Sequence, residues 1–339
     1  MDFKALLQTD EYNFLRVHPR LGNRVILLGL SGSYAYGTAN ENSDVDFRGI
    51  TLHLPSDLLG LTKFEQYEDG NTDTVIYSFN KIVNLLLECN PNTIELMGLD
   101  EEQYLIKTAL GQEVLDHKSL FLSKRAAKSF GGYARAQLRR LQNAVARDHM
   151  QQQEREQHIY HAVRNALEDF MQKNAITDKG NINLYIDESD NPAFRTEIFM
   201  DAEYKHLPLR DYGNMLGVMN NVVREYDQIG RRSSEKDDDH LNKHAMHLIR
   251  IFMMAVDILE KGVIKTHRKE DLELLKSIRQ GEFQKEDRTF SKEFYDIVSV
   301  CEKRLEKAAA ATRLPDYPDM KKVGQFVEYV NRKSIEGEL

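Results

Sequence analysis

Residues 27–49 read LLGLSGSYAYGTANENSDVDFRG, and this stretch decides the fold. The run RVILLGL (24–30) is apolar and rich in β-branched residues. It is bounded by Gly22-Asn23 and by Ser31-Gly32, which predicts a buried strand. SYAYG predicts one or two helical turns, and TANENS a polar loop. DVDFRGITLHL (44–54) alternates and predicts a second strand. On such a strand Asp44 and Asp46 project from one face, while Val45 and Phe47 point into the other and fix the strand against the core. Two adjacent carboxylates repel each other and need a compensating charge. A hard divalent cation, Mg²⁺ (or Mn²⁺), is the natural partner, because Mg²⁺ binds through a few carboxylates plus substrate phosphates. Gly32 lets the backbone approach a ligand closely. Free amides at the Ser31-Gly32-Ser33 turn, with the Ser33 hydroxyl, can hold phosphate oxygens. A phosphate grip beside a metal platform is the apparatus of phosphoryl or nucleotidyl transfer. An Asp-x-Asp or a Gly-Ser turn is ordinary alone; their order and separation carry the reading.

Outward from this stretch, TDTVIYSF (72–79) predicts a third strand, approached through the turn-rich QYEDGN, a possible hairpin tip. FNKIVNLLLECN (79–90) switches to helical period, with Phe79, Ile82, Val83, Leu86 and Leu87 on one face. Pro91 suits the first turn of the next helix, NTIELMGL. The remainder reads as mainly helical. Long polar helices span 121–173 with an interruption at Gly131-Gly132. A turn-rich segment at 180–194 carries a short strand or hairpin, and 208–228 is helical. GRRSSEKDDD (230–239) reads as a polar loop. HLNKHAMHLIRIFMMAVDILEKG (240–262) reads as a long helix stopped by Gly262.

GSYAYGTANENSDVDFRG resembles the signature of the DNA polymerase β-like nucleotidyltransferase superfamily, in which a Gly-Ser turn precedes an Asp-hydrophobic-Asp strand by about ten residues; here ten residues separate Ser33 from Asp44. SDVDFRGI, DTVIYSFNKIVNLLLECNPNTIELM, KHAMHLIRIFMMAVDILEKG and LELLKSIRQGE resemble the nucleotidyltransferases of bacteria and phages linked to RNA repair. These matches are scattered between residues 25 and 282, with 148–239 poorly matched. The resemblance implies an α+β fold: a nucleotidyltransferase domain at 1–120, a small mixed sheet with flanking helices, and a helical region at 121–339 that closes over nucleotide and substrate. It implies Mg²⁺-dependent transfer of a nucleoside monophosphate from an NTP to a hydroxyl, with two metal ions. RNA is the first acceptor, with a tRNA 3′ end as one form of it. A protein or small-molecule hydroxyl, or a non-catalytic nucleic-acid-binding module of the same fold, are the alternatives. The superfamily's third carboxylate falls best on Asp73, with Glu95 second. Each also has a plainer reading, as a turn aspartate or as an ion-pair partner.

Other residues extend the site. Arg48 points to the Asp44/Asp46 face, where it neutralises the pair, touches phosphate or makes a structural salt bridge. Lys81 is a helix-surface lysine with a weaker claim on phosphate. His240, His244 and His247 lie at i, i+4 and i+7, with Arg250 three further on. This polar stripe is read as nucleotide contact through His244, His247 and Arg250, as a buried polar seam, or as a metal site. Residues 121–147 hold seven basic side chains and no acid. Lys124, Lys128, Arg135 and Arg139 share a helical face, which is either solvated or a track for nucleic acid, with Tyr133 nearby to stack on a base.

Composition sets the frame. In 339 residues the net charge of −8 argues against wholesale nucleic-acid coating. No apolar run approaches the roughly 18 residues of a membrane helix. MDFKALLQTDEYNF lacks the basic flank and apolar core of a secretory signal. Cys89 and Cys301 make no disulfide framework. The expectation is a reduced, cytoplasmic protein without a membrane partner.

Overall fold

A five-stranded mixed sheet in the order β3-β4-β2-β1-β5 is built from β1 (Val25–Ser31), β2 (Asp46–Thr51), β3 (Gln66–Asp69), β4 (Thr74–Ser78) and β5 (Tyr104–Lys107). The computed structural model describes residues 2–41, 43–149, 157, 160–161, 163–165, 167–168, 171, 180–190, 196–217, 219–220 and 238–337. β1 runs antiparallel to β2 and β5, and β2 runs parallel to β4. β3 and β4 form the hairpin expected around QYEDGN, with Asp69 opposite Thr74.

Helix α1 (Gly32–Tyr36) follows β1 directly and ends at Gly37, whose φ of 75° is left-handed. Helix α2 (Phe79–Leu87) buries the five residues expected of its apolar face. Helix α3 (Pro91–Ile94) is capped by Asn90, whose side chain accepts from the Asn92 N–H, with Pro91 in the first turn. α4 (Ala109–Asp116) packs so tightly on β1 that a methyl group at Gly111 would lie 2.1 Å from the Ile26 carbonyl oxygen. One apolar cluster gathers Tyr12, Leu28, Leu30, Ala35, Tyr36, Phe47 and Ile76. It therefore anchors both α1 and the buried side of β2 to the same core.

Helix α5 (Arg125–His149) runs through Gly131-Gly132, where the sequence predicts a break. Gly131 is buried, and a methyl group there would only just touch Leu305, so packing holds the helix where propensity is weak. β6 (Gly180–Glu188) and β7 (Thr196–Tyr204) form a separate two-stranded antiparallel sheet, so the expected hairpin exists and its second strand lies beyond the predicted segment. The loop expected at 230–239 falls mainly outside the described residues, as do 221–228 of the helix expected at 208–228. α6 (Asp238–Lys261) is the predicted long helix, closed at Gly262 with φ 66°. α7 (Leu272–Arg279), α8 (Lys292–Ala311) and α9 (Met320–Glu336) complete the helical C-terminal region.

The described chain groups into two compact units. One comprises Met1–Leu138, Asn242–Gln284 and Phe290–Leu339, and contains the five-stranded sheet. The other comprises Arg139–Leu241 and Lys285–Thr289, and contains the β6-β7 hairpin. In the second unit Val163, Leu167, Leu184 and Met215 form a small apolar cluster of their own. Among the described residues no helix is long and apolar enough to cross a membrane.

Candidate functional site

Strand register brings the signature residues together. Ser31, the last residue of β1, pairs across the sheet with Asp46, the first of β2. The chain then turns through Gly32 with φ 59°. A methyl group at Gly32 would sit 2.0 Å from Asp46 Oδ2. The Asp46 carboxylate thus occupies space that only glycine leaves open. Gly32→Ala is expected to cost about 1–2 kcal/mol in backbone strain and to displace Asp46 as well. A thermal melt and an activity assay on that variant check both effects, and activity should fall further than the melt implies.

On the other side of β2, Phe47 pairs in parallel with Thr74, which places Asp73 abreast of Asp46. Asp73 precedes β4 rather than lying in it, and has a left-handed φ of 45°. Its carbonyl accepts from Arg48 Nη1 at 2.5 Å, and the same nitrogen donates to the Phe47 carbonyl at 2.8 Å. Arg48 shares the Asp46 face as expected, with Phe47 fully buried on the other. Its guanidinium ties the Asp73 turn to β2 through backbone carbonyls.

Asp44 departs from expectation. β2 begins at Asp46, so Asp44 stands exposed in the preceding loop instead of on the strand. The β1 partner ends at Ser31, and no strand lies opposite residue 44 to extend the ladder. Asp44 still contributes to the field at Asp46. Burial pushes the Asp46 carboxyl above its usual range; Arg48 opposes this, Asp73 adds to it, Lys243 opposes it and Asp44 adds to it. Lys243, on α6, is the site cation that sequence reasoning missed. It is exposed, and none of the described residues forms a hydrogen bond or ion pair with it.

Among the described residues no three His, Cys, Asp or Glu side chains form a closed metal-ligand cluster. The donor set nonetheless fits a hard cation. It offers carboxylate oxygens only, and the charges of Asp73 and Asp44 add to that of Asp46. Phosphates and water would complete the shell of a Mg²⁺ held there. Ser33 is buried, while Ser31 and Gly32 are half-buried.

The remaining candidates divide. Glu95 is buried and engaged: Oε1 accepts from Arg250 at 2.6 Å, and Oε2 accepts from the Tyr36 hydroxyl at 2.6 Å. Arg250 is fully buried. It does not lie open at a cleft, because Glu95 draws it into the core. Lys243, His247 and Arg250 therefore share one face of α6 at i, i+4 and i+7, running from exposed Lys243 to buried Arg250, in place of the histidine stripe. His244 is half-buried and adds to the field at His247, and His240 is exposed. Lys81 pairs with Glu65 at 2.7 Å. On α5, Lys128 and Arg135 are exposed and Arg139 is half-buried, while Lys124, just before the helix, pairs with Asp316 at 2.8 Å. Tyr133 packs edge-on against His247, with ring centroids 5.9 Å apart, so it is engaged within the fold.

Residues 7–175 match the model of a family described as RNA repair pathway DNA polymerase beta family, RlaP. The match spans the Gly32 turn, Asp44, Asp46, Asp73 and Glu95, and ends before α6. No curated protein and no solved structure matches the chain.

Proposed function

Residues 7–175 make this chain a member of the RNA repair pathway DNA polymerase beta family, and from that membership we propose that it transfers a nucleoside monophosphate from an NTP to a hydroxyl, with RNA as the acceptor. The observation that carries the proposal is the pairing of Ser31 with Asp46 around Gly32, which sets the Ser31-Gly32-Ser33 turn directly against the half-buried Asp46 carboxylate. In this reading Asp46, Asp44 and Asp73 hold divalent metal, and Ser31, Gly32 and Ser33 grip the triphosphate. When bound, Mg²⁺ supplies charge neutralisation at the phosphates and acidifies the attacking hydroxyl. Arg48 keeps the Asp73 turn against β2 so that the carboxylates stay adjacent. Lys243 faces the same charge and stabilises the negative charge that grows on the departing pyrophosphate. His244 and His247 border this face of α6.

The exposed Lys124, just before α5, and Lys128 and Arg135 on it, with Arg139 further along the same helix, are the proposed contacts to the RNA backbone. Lys243→Ala is expected to raise the KM for NTP about tenfold with a smaller change in kcat, and Lys243→Arg to restore most of it. Steady-state kinetics on the two variants check this. The acceptor is tested by incubating the protein with each of the four α-labelled NTPs, Mg²⁺ and total cellular RNA. Label in RNA supports the reading. Label in a protein band keeps the chemistry and replaces the acceptor. No label in either fraction removes RNA as the acceptor.

A further inference from the structure

Arg250 is among the largest side chains in the protein with no solvent exposure. A buried guanidinium needs both a counter-charge and hydrogen-bond partners. Nη2 supplies both contacts by itself, lying 2.6 Å from Glu95 Oε1 and 2.9 Å from His247 Nδ1. The guanidinium carbon sits 3.5 Å from the centroid of the Tyr36 ring, a close cation–π stack. Tyr36 in turn donates its hydroxyl to Glu95 Oε2 at 2.6 Å. The segment carrying Glu95 is held to a different part of the chain, since the Thr266 hydroxyl donates to the Glu95 carbonyl at 2.7 Å. Tyr36 ends the short helix that begins at Gly32, and Gln103 Nε2 fixes the same helix by donating to the Ala35 carbonyl at 3.1 Å.

We propose that Arg250 is a positioning residue: its Nη2 locks His247 as the Nε2–H tautomer, and through Glu95 and Tyr36 it holds the Gly32 turn in register with the Lys243–His247 face of α6. The use of this lock in binding a triphosphate rests on the nucleotidyl-transfer reading; the lock itself does not.

The tautomer follows from donor and acceptor chemistry. Arginine has no acceptor and stays charged, so a ring nitrogen 2.9 Å from Nη2 must accept. Nδ1 therefore carries no proton, and the neutral ring holds its proton on Nε2. Protonating Nδ1 would set N–H against N–H and cation against cation. The groups around the ring all agree. Lys243, His244 and Arg250 lie on the same helix, Tyr133 packs from α5, and Tyr36 approaches from α1 with its ring centroid 6.4 Å away. Among the described residues no carboxylate faces the ring, since that of Glu95 is engaged by Arg250 and Tyr36. Burial, followed by the charges of Arg250, His244 and Lys243, holds the His247 imidazole well below its usual pKa. His247 is half-buried, and Nε2 has no partner among the described residues. His247 thus offers one neutral, fixed donor, one helical turn from the Lys243 ammonium. A donor of that kind suits a phosphate oxygen, and it does not depend on pH as a titrating histidine would.

The test uses the full chain with its histidines labelled in the ring nitrogens, read by NMR without substrate. The His247 signals are identified by their loss in His247→Gln. The expected spectrum shows an unprotonated Nδ1 and a protonated Nε2 between about pH 5 and 8. In Arg250→Lys, which keeps the charge and loses the planar fork, the ring is expected to sample both tautomers and to titrate nearer its ordinary value. Tyr36→Phe removes only the hydroxyl and tests the other arm: the KM for NTP should rise about tenfold with kcat little changed, while the His247 spectrum stays as in the wild type. A wild-type His247 protonated on Nδ1, or titrating in its usual range, overturns the lock. Unchanged KM and kcat in both variants overturn the positioning role. Because the tautomer is read without substrate, a wild-type protein that transfers no nucleotide counts against the functional reading alone.

Discussion

Asp46→Asn is expected to reduce nucleotidyl transfer on the order of a thousandfold while leaving the melting temperature unchanged or raising it. The two effects separate because they come from different properties of one carboxylate. As a metal ligand Asp46 supplies charge that an amide does not. As a folded-state residue it is held in a place that disfavours its ionised form. Burial raises its pKa above the value of an unfolded aspartate; Arg48 and Lys243 oppose this, and Asp73 and Asp44 add to it. The sign is as follows: with the folded pKa raised, the unfolded chain loses this proton first. The ionised carboxylate therefore costs stability, increasingly as pH rises through the unfolded value and fully once it passes the folded one. Asparagine mimics the neutral form and removes the cost. Mg²⁺ should raise the melting temperature of the wild type and not that of the variant. Parallel activity and melting curves check this. A large fall in melting temperature with Asp46→Asn would make Asp46 a structural residue.

Arg250→Met is expected to destabilise the fold by about 3–5 kcal/mol, because it strands the Glu95 carboxylate in the core. Burial alone would weaken the charge on Arg250, and Glu95, then Tyr36, more than restore it. The two charges compensate one another inside the core. The double variant Glu95→Gln/Arg250→Met removes both charges and should recover much of the loss, since a buried pair contributes far less than the cost of breaking it. Urea midpoints for the two single variants and the double variant form the cycle. A double variant as unstable as the sum of the singles would show that the two residues act independently.

What sequence could and could not reveal follows the range of the interactions. Val45 and Phe47 against Asp46 and Arg48 is a period-two pattern, so the buried and open faces of β2 were readable. The apolar face of α2 was readable for the same local reason, as was the Gly262 stop of α6. The position of Asp44 was not, because where β2 starts depends on where its partner β1 ends. The edge strand Tyr104–Lys107 is four residues long and exists only through pairing with β1. The helix through Gly131-Gly132 depends on packing near Leu305 rather than on propensity. Glu95 and Arg250 are 155 residues apart, and no local signal marks them as a pair. Without that pairing, the histidines of α6 look like its functional stripe. Once Arg250 is drawn inward, the helix rotates Lys243 toward Asp46. Lys243 carries no motif of its own, and only its place one turn from His247 on that face identifies it.

The most direct test of the account is to supply NTP labelled separately at the α and γ positions, with Mg²⁺ and RNA, to the wild type and to Asp46→Asn. Cleavage between the α- and β-phosphates should leave the α label in the RNA, and the γ label should be released as pyrophosphate in equal amount. Both should disappear in the variant. Release of γ label as orthophosphate, or equal incorporation by the variant, would mean that the Asp46 site does not perform nucleotidyl transfer.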